Sequence, residues 1–310
     1  MDSYSNVTSI KTRLGRAVRQ SAFYWRYVAN GRPWLEYRLH GLTSATPVQR
    51  EIVNDLRRDG IAITTGRALF GNTTLVDELE AEVRELERKL EKEIVESRQR
   101  KDAEGFKSFL IQILGPRPVL DPQSIFVRIA VVPEVLDVAN RYFGMMTRLR
   151  CFNVWRNFAS SAPPRYSQLW HRDPEDRVML KMFIYLSDVD DEAGPLFYAP
   201  STHSYGNIKM QPKLYGEEGT TARRADDDGM SAIVEKDKWI KAVGPKGTIV
   251  FVDTRGYHKG GLARGRDRIV YNCMFTSQVS TCGDYFERRN VTQPNFDRAL
   301  SFALGANSHS

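Results

Sequence analysis

Apolar residues recur along this chain at two different periods, and the change of period divides it. The first half follows the helical period. Ile10, Leu14, Ala17 and Val18, then Phe23, Tyr24, Trp25, Tyr27 and Val28, make an uneven apolar face over residues 7–30 with arginines between them. Gly31-Arg32-Pro33 is expected to end that helix. Val48, Ile52, Val53 and Leu56 predict a second helix over 47–59. Pro47 starts it, at a position where a missing N–H costs nothing. Asp59-Gly60 then turns into a short strand, Ile61 to Thr64. Leu75, Leu79, Val83, Leu86, Leu90 and Ile94 recur at three- and four-residue steps, which predicts one long amphipathic helix over 75–104. A heptad reading of 76–97 covers barely three heptads, so packing against the domain's exterior is preferred to a coiled coil. Pro133 and Gly144 bracket one more helix.

From residue 148 the period shortens to two. Residues 148–158, 178–186, 247–253 and 268–276 read as strands. An acidic turn occupies 188–194, and the polar stretch 206–242 is a candidate active-site lid. Its Asp226-Asp227-Asp228-Gly229 run lacks the later ligands of a calcium loop. Many short strands after a helix-rich first part predict an α+β fold with a mainly β core. The expected architecture is a double-stranded β-helix, or cupin-like jelly roll, with helices packed outside.

Composition narrows the setting. With 310 residues and 41% hydrophobic content, one elaborated domain with a sizeable core is expected. Cys151, Cys273 and Cys282 are odd in number and lack a C-x-x-C spacing, which points to a reducing compartment. No run approaches a membrane span and no signal-peptide core is present, so a cytoplasmic location is expected. The net charge is +7, and residues 11–39 carry seven basic residues against Glu36 alone. A basic helix with clustered aromatics over 7–30 fits peripheral contact with an anionic membrane surface, although packing on the core is the commoner use. No nucleic-acid module is recognisable, and nothing specifies an oligomeric state.

The chemistry centres on Trp170-His171-Arg172-Asp173. Alternation along a strand puts His171 and Asp173 on one face and Arg172 on the other. His258 follows far downstream, and two histidines with one carboxylate make the facial triad of non-haem iron oxygenases. Ten residues later Arg268 opens an apolar run, where a guanidinium could clamp a carboxylate bidentately. Arg266, on the same strand face by parity, is the competing choice. Two other classes use similar residues: a zinc-type metal hydrolase, and a non-catalytic jelly-roll binding module. Neither gives Arg268 an obvious task.

These motifs resemble the phytanoyl-CoA dioxygenase-like Fe(II)/2-oxoglutarate oxygenases. Trp170-His171-Arg172-Asp173 is similar to their first motif. The run Met179–Ser204 is similar to their strand, acidic turn, Gly-Pro-Leu and Pro-x-Ser-His pattern, with one extra residue before His203. Residues 247–261 are similar to the second histidine motif. The resemblance spans roughly residues 48–280 and is specific over 166–204 and 246–275.

It implies a basic N-terminal extension over 1–46, a jelly-roll dioxygenase domain over 47–290 and a C-terminal tail over 291–310. It implies Fe(II) on His171, Asp173 and His258, with 2-oxoglutarate as cosubstrate, its far carboxylate on Arg268, and O2 as oxidant. Lys181 and Gln168 are further candidates for cosubstrate contact, and Asn153 and Arg156 lie on a strand placed near the pocket. The family often has a Ser two residues after the second histidine. Gly260 stands there, leaving Thr248 or Tyr185 as candidate hydroxyl donors. His203 is expected to be structural and Trp170 core. A carboxylate at Asp173, where halogenases of this superfamily carry a small residue, argues for hydroxylation or a related desaturation or ring closure. Arg255, Lys259, Arg264 and Arg266 suit an anionic small-molecule substrate.

Overall fold

The two-residue periods of the second half pair into two antiparallel sheets in the computed structural model, which describes residues 21–41, 44–102, 108–213, 215–216, 223–288 and 296–306. Nine strands matter to the site. They are β1 (Ile61–Thr65), β2 (Leu110–Gln112), β3 (Arg148–Asn157), β4 (Leu180–Tyr185), β5 (Leu196–Tyr198), β6 (Ile240–Ala242), β7 (Thr248–Val252), β8 (His258–Gly260) and β9 (Arg268–Thr276). The larger sheet runs β1-β7-β4-β9-β3-β2 and the smaller β8-β5-β6. Neighbours are seldom consecutive in sequence, so the chain crosses between sheets as a jelly roll does.

Alternation along each strand assigns its side chains. On β4, Leu180, Met182 and Ile184 join the main apolar cluster beneath the helices. Tyr185 faces a second cluster with Tyr198, Val250, Val252 and Val270, and Phe183 packs against it. The odd-numbered face, which includes Lys181, therefore looks into the space between the sheets.

Helices cover the outer face, among them α1 (Gly31–His40), α2 (Pro47–Arg58), α3 (Thr74–Lys89), α4 (Glu91–Gln99), α5 (Ile125–Val131) and α6 (Pro133–Phe143). Thr46 and Gln49 form a reciprocal capping box at α2, with Pro47 in its first turn. Gly144, at φ +67°, ends α6 in the left-handed conformation that glycine tolerates.

Two helical expectations are corrected. Gly31-Arg32-Pro33 begins α1 instead of ending a helix, after a wide π-helical turn at Tyr24–Ala29. Pro33 sits in the first turn of α1, where no intrahelical N–H is needed. Residues 7–20 of the expected basic helix lie outside the described residues. The long helix over 75–104 is broken at Leu90. The break lets α3 pack on α5 while α4 packs on β2. Residues 103–107 lie outside the described residues. Within the C-terminal tail a helix at Arg298–Leu304 buries Phe302, Ala303 and Leu304. None of the three cysteines is in a disulfide. Among the described residues, no helix is long and apolar enough to cross a membrane.

Candidate active site

His171 does not belong to a regular strand. It lies beside β8 in an antiparallel backbone pair with His258, with N···O distances of 3.0 Å in both directions. Two residues on, the Asp173 N–H donates to the Thr254 carbonyl at 2.9 Å. These bonds keep the segment extended, and the expected convergence of His171 and Asp173 follows without a continuous strand. Arg172 points the other way, 4.0 Å over the Tyr257 ring, and donates to the Thr202 carbonyl.

One ligand atom from each of His171, Asp173 and His258 lies within 4.8 Å of the others. Each histidine Nε2 stands 3.7 Å from a different carboxylate oxygen of Asp173. The opposite ring nitrogens are taken: His171 Nδ1 lies 2.8 Å from the Leu169 carbonyl, and His258 Nδ1 lies 3.0 Å from the Gly256 carbonyl. A carbonyl only accepts, so each Nδ1 carries the proton and each Nε2 presents a lone pair. Burial pushes both imidazole pKa values down, and for His171 the neighbouring His258 adds to the effect. Burial opposes ionisation of Asp173, yet the adjacent Lys181 ammonium outweighs it and holds the carboxyl well below its usual range. Two neutral nitrogen donors and one carboxylate on one side of a site fit divalent iron.

A cavity of about 110 Å³ opens beside the triad. Its polar lining includes Gln168, Lys181, Asn157 and Arg268, and its apolar wall includes Phe109, Trp155, Phe158, Phe183 and Leu196. Arg268 is decisive. Its Nε is buried without a hydrogen-bond partner, and its guanidinium has no ion-pair partner among the described residues. An unpaired buried cation is costly, and a carboxylate in the cavity would relieve it. Arg266 precedes the strand and forms an exposed ion pair with Asp190. The expectation that it shares a strand face with Arg268 is thereby corrected.

The other expected residues are distributed unevenly. Lys181 reaches the site, but its ammonium lies 2.6 Å from Asp173. Gln168 lines the cavity while its Oε1 accepts from the Arg165 N–H at 3.1 Å. Arg156 faces outward to Glu87 and Asp267, and Asn153 donates to the Gly115 carbonyl; neither lines the cavity. Tyr185 lines it, but its hydroxyl donates to the Ala242 carbonyl at 2.6 Å. Thr248 donates to the Pro245 carbonyl at 2.7 Å, away from the cavity. His203 is buried against the Arg57 carbonyl, and Trp170 is fully buried, both as expected.

Sequence reasoning missed Asn157. It pairs in register with Arg268, lines the cavity and has a buried Nδ2 with no hydrogen-bond partner. The available signal was parity, because 153, 155 and 157 alternate with the outward-facing Arg156.

Fold and site together define a class: a jelly roll carrying a two-histidine, one-carboxylate cluster next to an unpaired arginine. The family model described as phytanoyl-CoA dioxygenase matches residues 48–269. The chain belongs to the phytanoyl-CoA dioxygenase family and is a non-haem iron, 2-oxoglutarate-dependent oxygenase. No curated protein matches it. Among solved structures, the apo form of the non-haem monooxygenase ThoJ aligns with a TM-score of 0.50 at 15% identity, covering 81% of this chain and 92% of that one. The epimerase SnoN in complex with Fe3+, alpha ketoglutarate and nogalamycin RO aligns at 0.49 and 16% identity, covering 77% and 87%. EctD from S. alaskensis with bound Fe aligns at 0.48 and 15%, covering 79% and 81%. At such identities the ThoJ likeness concerns the fold.

Proposed function

We propose that His171, Asp173 and His258 hold the iron, that Arg268 and Asn157 bind the far carboxylate of 2-oxoglutarate, and that the enzyme hydroxylates a small molecule. The observation that carries this reading is the unpaired Arg268 guanidinium on the same cavity as the triad. A zinc-type hydrolase or a non-catalytic module would leave that buried cation without a purpose. When bound, iron and 2-oxoglutarate supply the oxidising power, with one oxygen atom of O2 entering succinate and the other the substrate, and CO2 released.

The chain's own residues do the positioning. Lys181 keeps Asp173 ionised and fixes its orientation through their 2.6 Å bond. Leu169 and Gly256 hold the imidazole tautomers through their carbonyls. Gln168 borders the cosubstrate space. The aromatic and aliphatic wall favours a substrate whose reacting carbon sits in an apolar skeleton, and it excludes water from the reaction.

The four basic residues that suggested an anionic substrate are engaged elsewhere. Arg255 donates to the Asp173 carbonyl, Lys259 pairs with Asp227, Arg264 donates to the Ser160 and Ala162 carbonyls, and Arg266 pairs with Asp190. Anionic character in the substrate would therefore have to be met by other groups. Residues 206–242 act in this reading as a cover over the metal segment. Contact with an anionic membrane surface through 7–30 would rest on the exposed Phe23, Tyr27 and Val28, because Trp25 is turned inward.

The test is metal binding coupled to turnover. The purified protein should bind one equivalent of Fe(II) and convert 2-oxoglutarate to succinate. His258→Ala should lose both while remaining folded. Full iron occupancy in that variant would sink the ligand assignment. Candidate substrates can be captured from metabolite extracts on the cosubstrate-loaded protein and recognised as a mass gain of one oxygen after turnover.

A further inference from the structure

A second cleft, of about 440 Å³, shares no residue with the cavity beside His171. It lies where the turn Tyr24–Ala29 and α1 meet α2 and the end of α6. Five guanidinium groups border it, from Arg26, Arg38, Arg50, Arg57 and Arg141, and no lining residue is acidic. Tyr27 and Trp34 stack edge to face at 5.1 Å and form part of its wall.

Five like charges around one cleft repel one another, and packing accounts for only part of the arrangement. Arg26 donates to the Phe143 carbonyl at 2.7 Å and to the Tyr205 hydroxyl at 2.9 Å. Arg57 donates to the Arg141 carbonyl at 3.1 Å, so both cap the carbonyl end of α6. Arg50 donates to the Ala45 carbonyl. Carbonyls take up N–H groups without cancelling a full charge. Asp137 pairs with Arg141, but Arg26, Arg38, Arg50 and Arg57 have no carboxylate partner among the described residues. In sequence, residues 1–20 carry Asp2 alone against Lys11, Arg13, Arg16 and Arg19, so the preceding chain adds more positive charge than negative.

We propose that this cleft binds a phosphoryl anion, a phosphate or diphosphate group carried either by a free metabolite or by a lipid headgroup. Planar guanidinium forks match phosphate oxygens two at a time. Arg26 and Arg57 are already held in direction by the end of α6, so ordering them costs little on binding. Carboxylate ligands are not the preferred class, because several converging forks can satisfy more oxygens than one carboxylate offers.

The experiment uses the full chain loaded with an inert divalent metal and 2-oxoglutarate, which occupies the other cavity. Inorganic pyrophosphate is titrated by calorimetry in one arm. In the other, phosphatidylcholine vesicles are compared with and without a phosphoinositide. Arg38→Gln/Arg50→Gln removes two charges from exposed positions. Saturable pyrophosphate binding, weakened at least tenfold in the double variant, supports the site with a soluble ligand. Binding only to phosphoinositide vesicles, weakened equally, supports it with a headgroup ligand. The 2-oxoglutarate affinity should be the same in both proteins. If it falls in the double variant, Arg38→Gln alone is read in both arms. Equal binding by wild type and variant, or none in either arm, overturns the proposal.

Discussion

Arg268 and Arg266 are two residues apart and chemically identical, yet only one is of use to a buried anion. Arg266 spends its charge on Asp190 in solvent, whereas Arg268 stands unpaired on the cavity. Losing one side of a buried charge-assisted pair costs about 2–5 kcal/mol. Arg268→Ala should therefore weaken 2-oxoglutarate binding about thirtyfold or more. Arg266→Ala should change it less than about threefold, as expected for an exposed pair. Calorimetry with an inert metal in the iron site separates the two, and the opposite ranking would move the clamp off Arg268. At this scale the convergence of His171, Asp173 and His258, and the place of the proposed clamp Arg268, could be read from sequence, because spacing and period restrict where those side chains point. For Asn157 the sequence offered only its parity with 153 and 155, because its significance comes from the strand opposite it.

The insertion over 206–242 is better tied down than its polar composition suggests. Ala225 exchanges backbone hydrogen bonds with Trp170, next to His171, at 3.0 and 2.9 Å. Asp227 accepts from Trp170 Nε1 at 2.8 Å and also pairs with Lys259, the neighbour of His258. The Lys259 ammonium lies 5.1–5.6 Å from the ring centroids of Phe197, Trp170 and Trp239. The insertion ends in β6, a strand of the smaller sheet, so its last residues are framework instead of lid. Residues 214 and 217–222 lie outside the described residues. A partly desolvated cation over aromatic rings contributes about 1–2 kcal/mol. Lys259→Ala should therefore speed limited proteolysis within 206–235 by about fivefold or more, measured by mass spectrometry of the cleaved chain. An unchanged cleavage rate would mean that the backbone pair alone holds the cover.

Across the whole molecule, the helical layer and the N-terminal segment brace the site from outside. Trp25 packs into the main apolar cluster, and its Nε1 donates to Asp176 at 3.0 Å. Asp176 also accepts from the Ser277 N–H at 2.7 Å, which links the segment to the chain just after Asp173 and to the end of β9. Tyr37 forms a separate small cluster with Met146 and Phe302. Trp25→Ala should cost about 3–5 kcal/mol of stability, as large aromatic truncations in cores do. Denaturant unfolding measures this, and a loss below about 1 kcal/mol would mean that Trp25 is a surface group. The segment thus combines a core side chain with exposed arginines, and its charge alone does not describe it.

The sequence by itself determined the period changes, the helix starts at Pro47 and Pro133, the five longer strands, the convergence of His171, Asp173 and His258, and the family resemblance. Each of these depends on local sterics or on short motifs that act over a few residues. Tertiary structure decided the break at Leu90, the start of α1 at Gly31 and the inward direction of Lys181. It also decided which basic residues are spent on partners and the arginine-lined cleft. Those features arise where segments far apart in sequence meet. Burial and pairing are properties of both partners at once, and no single stretch of chain encodes them.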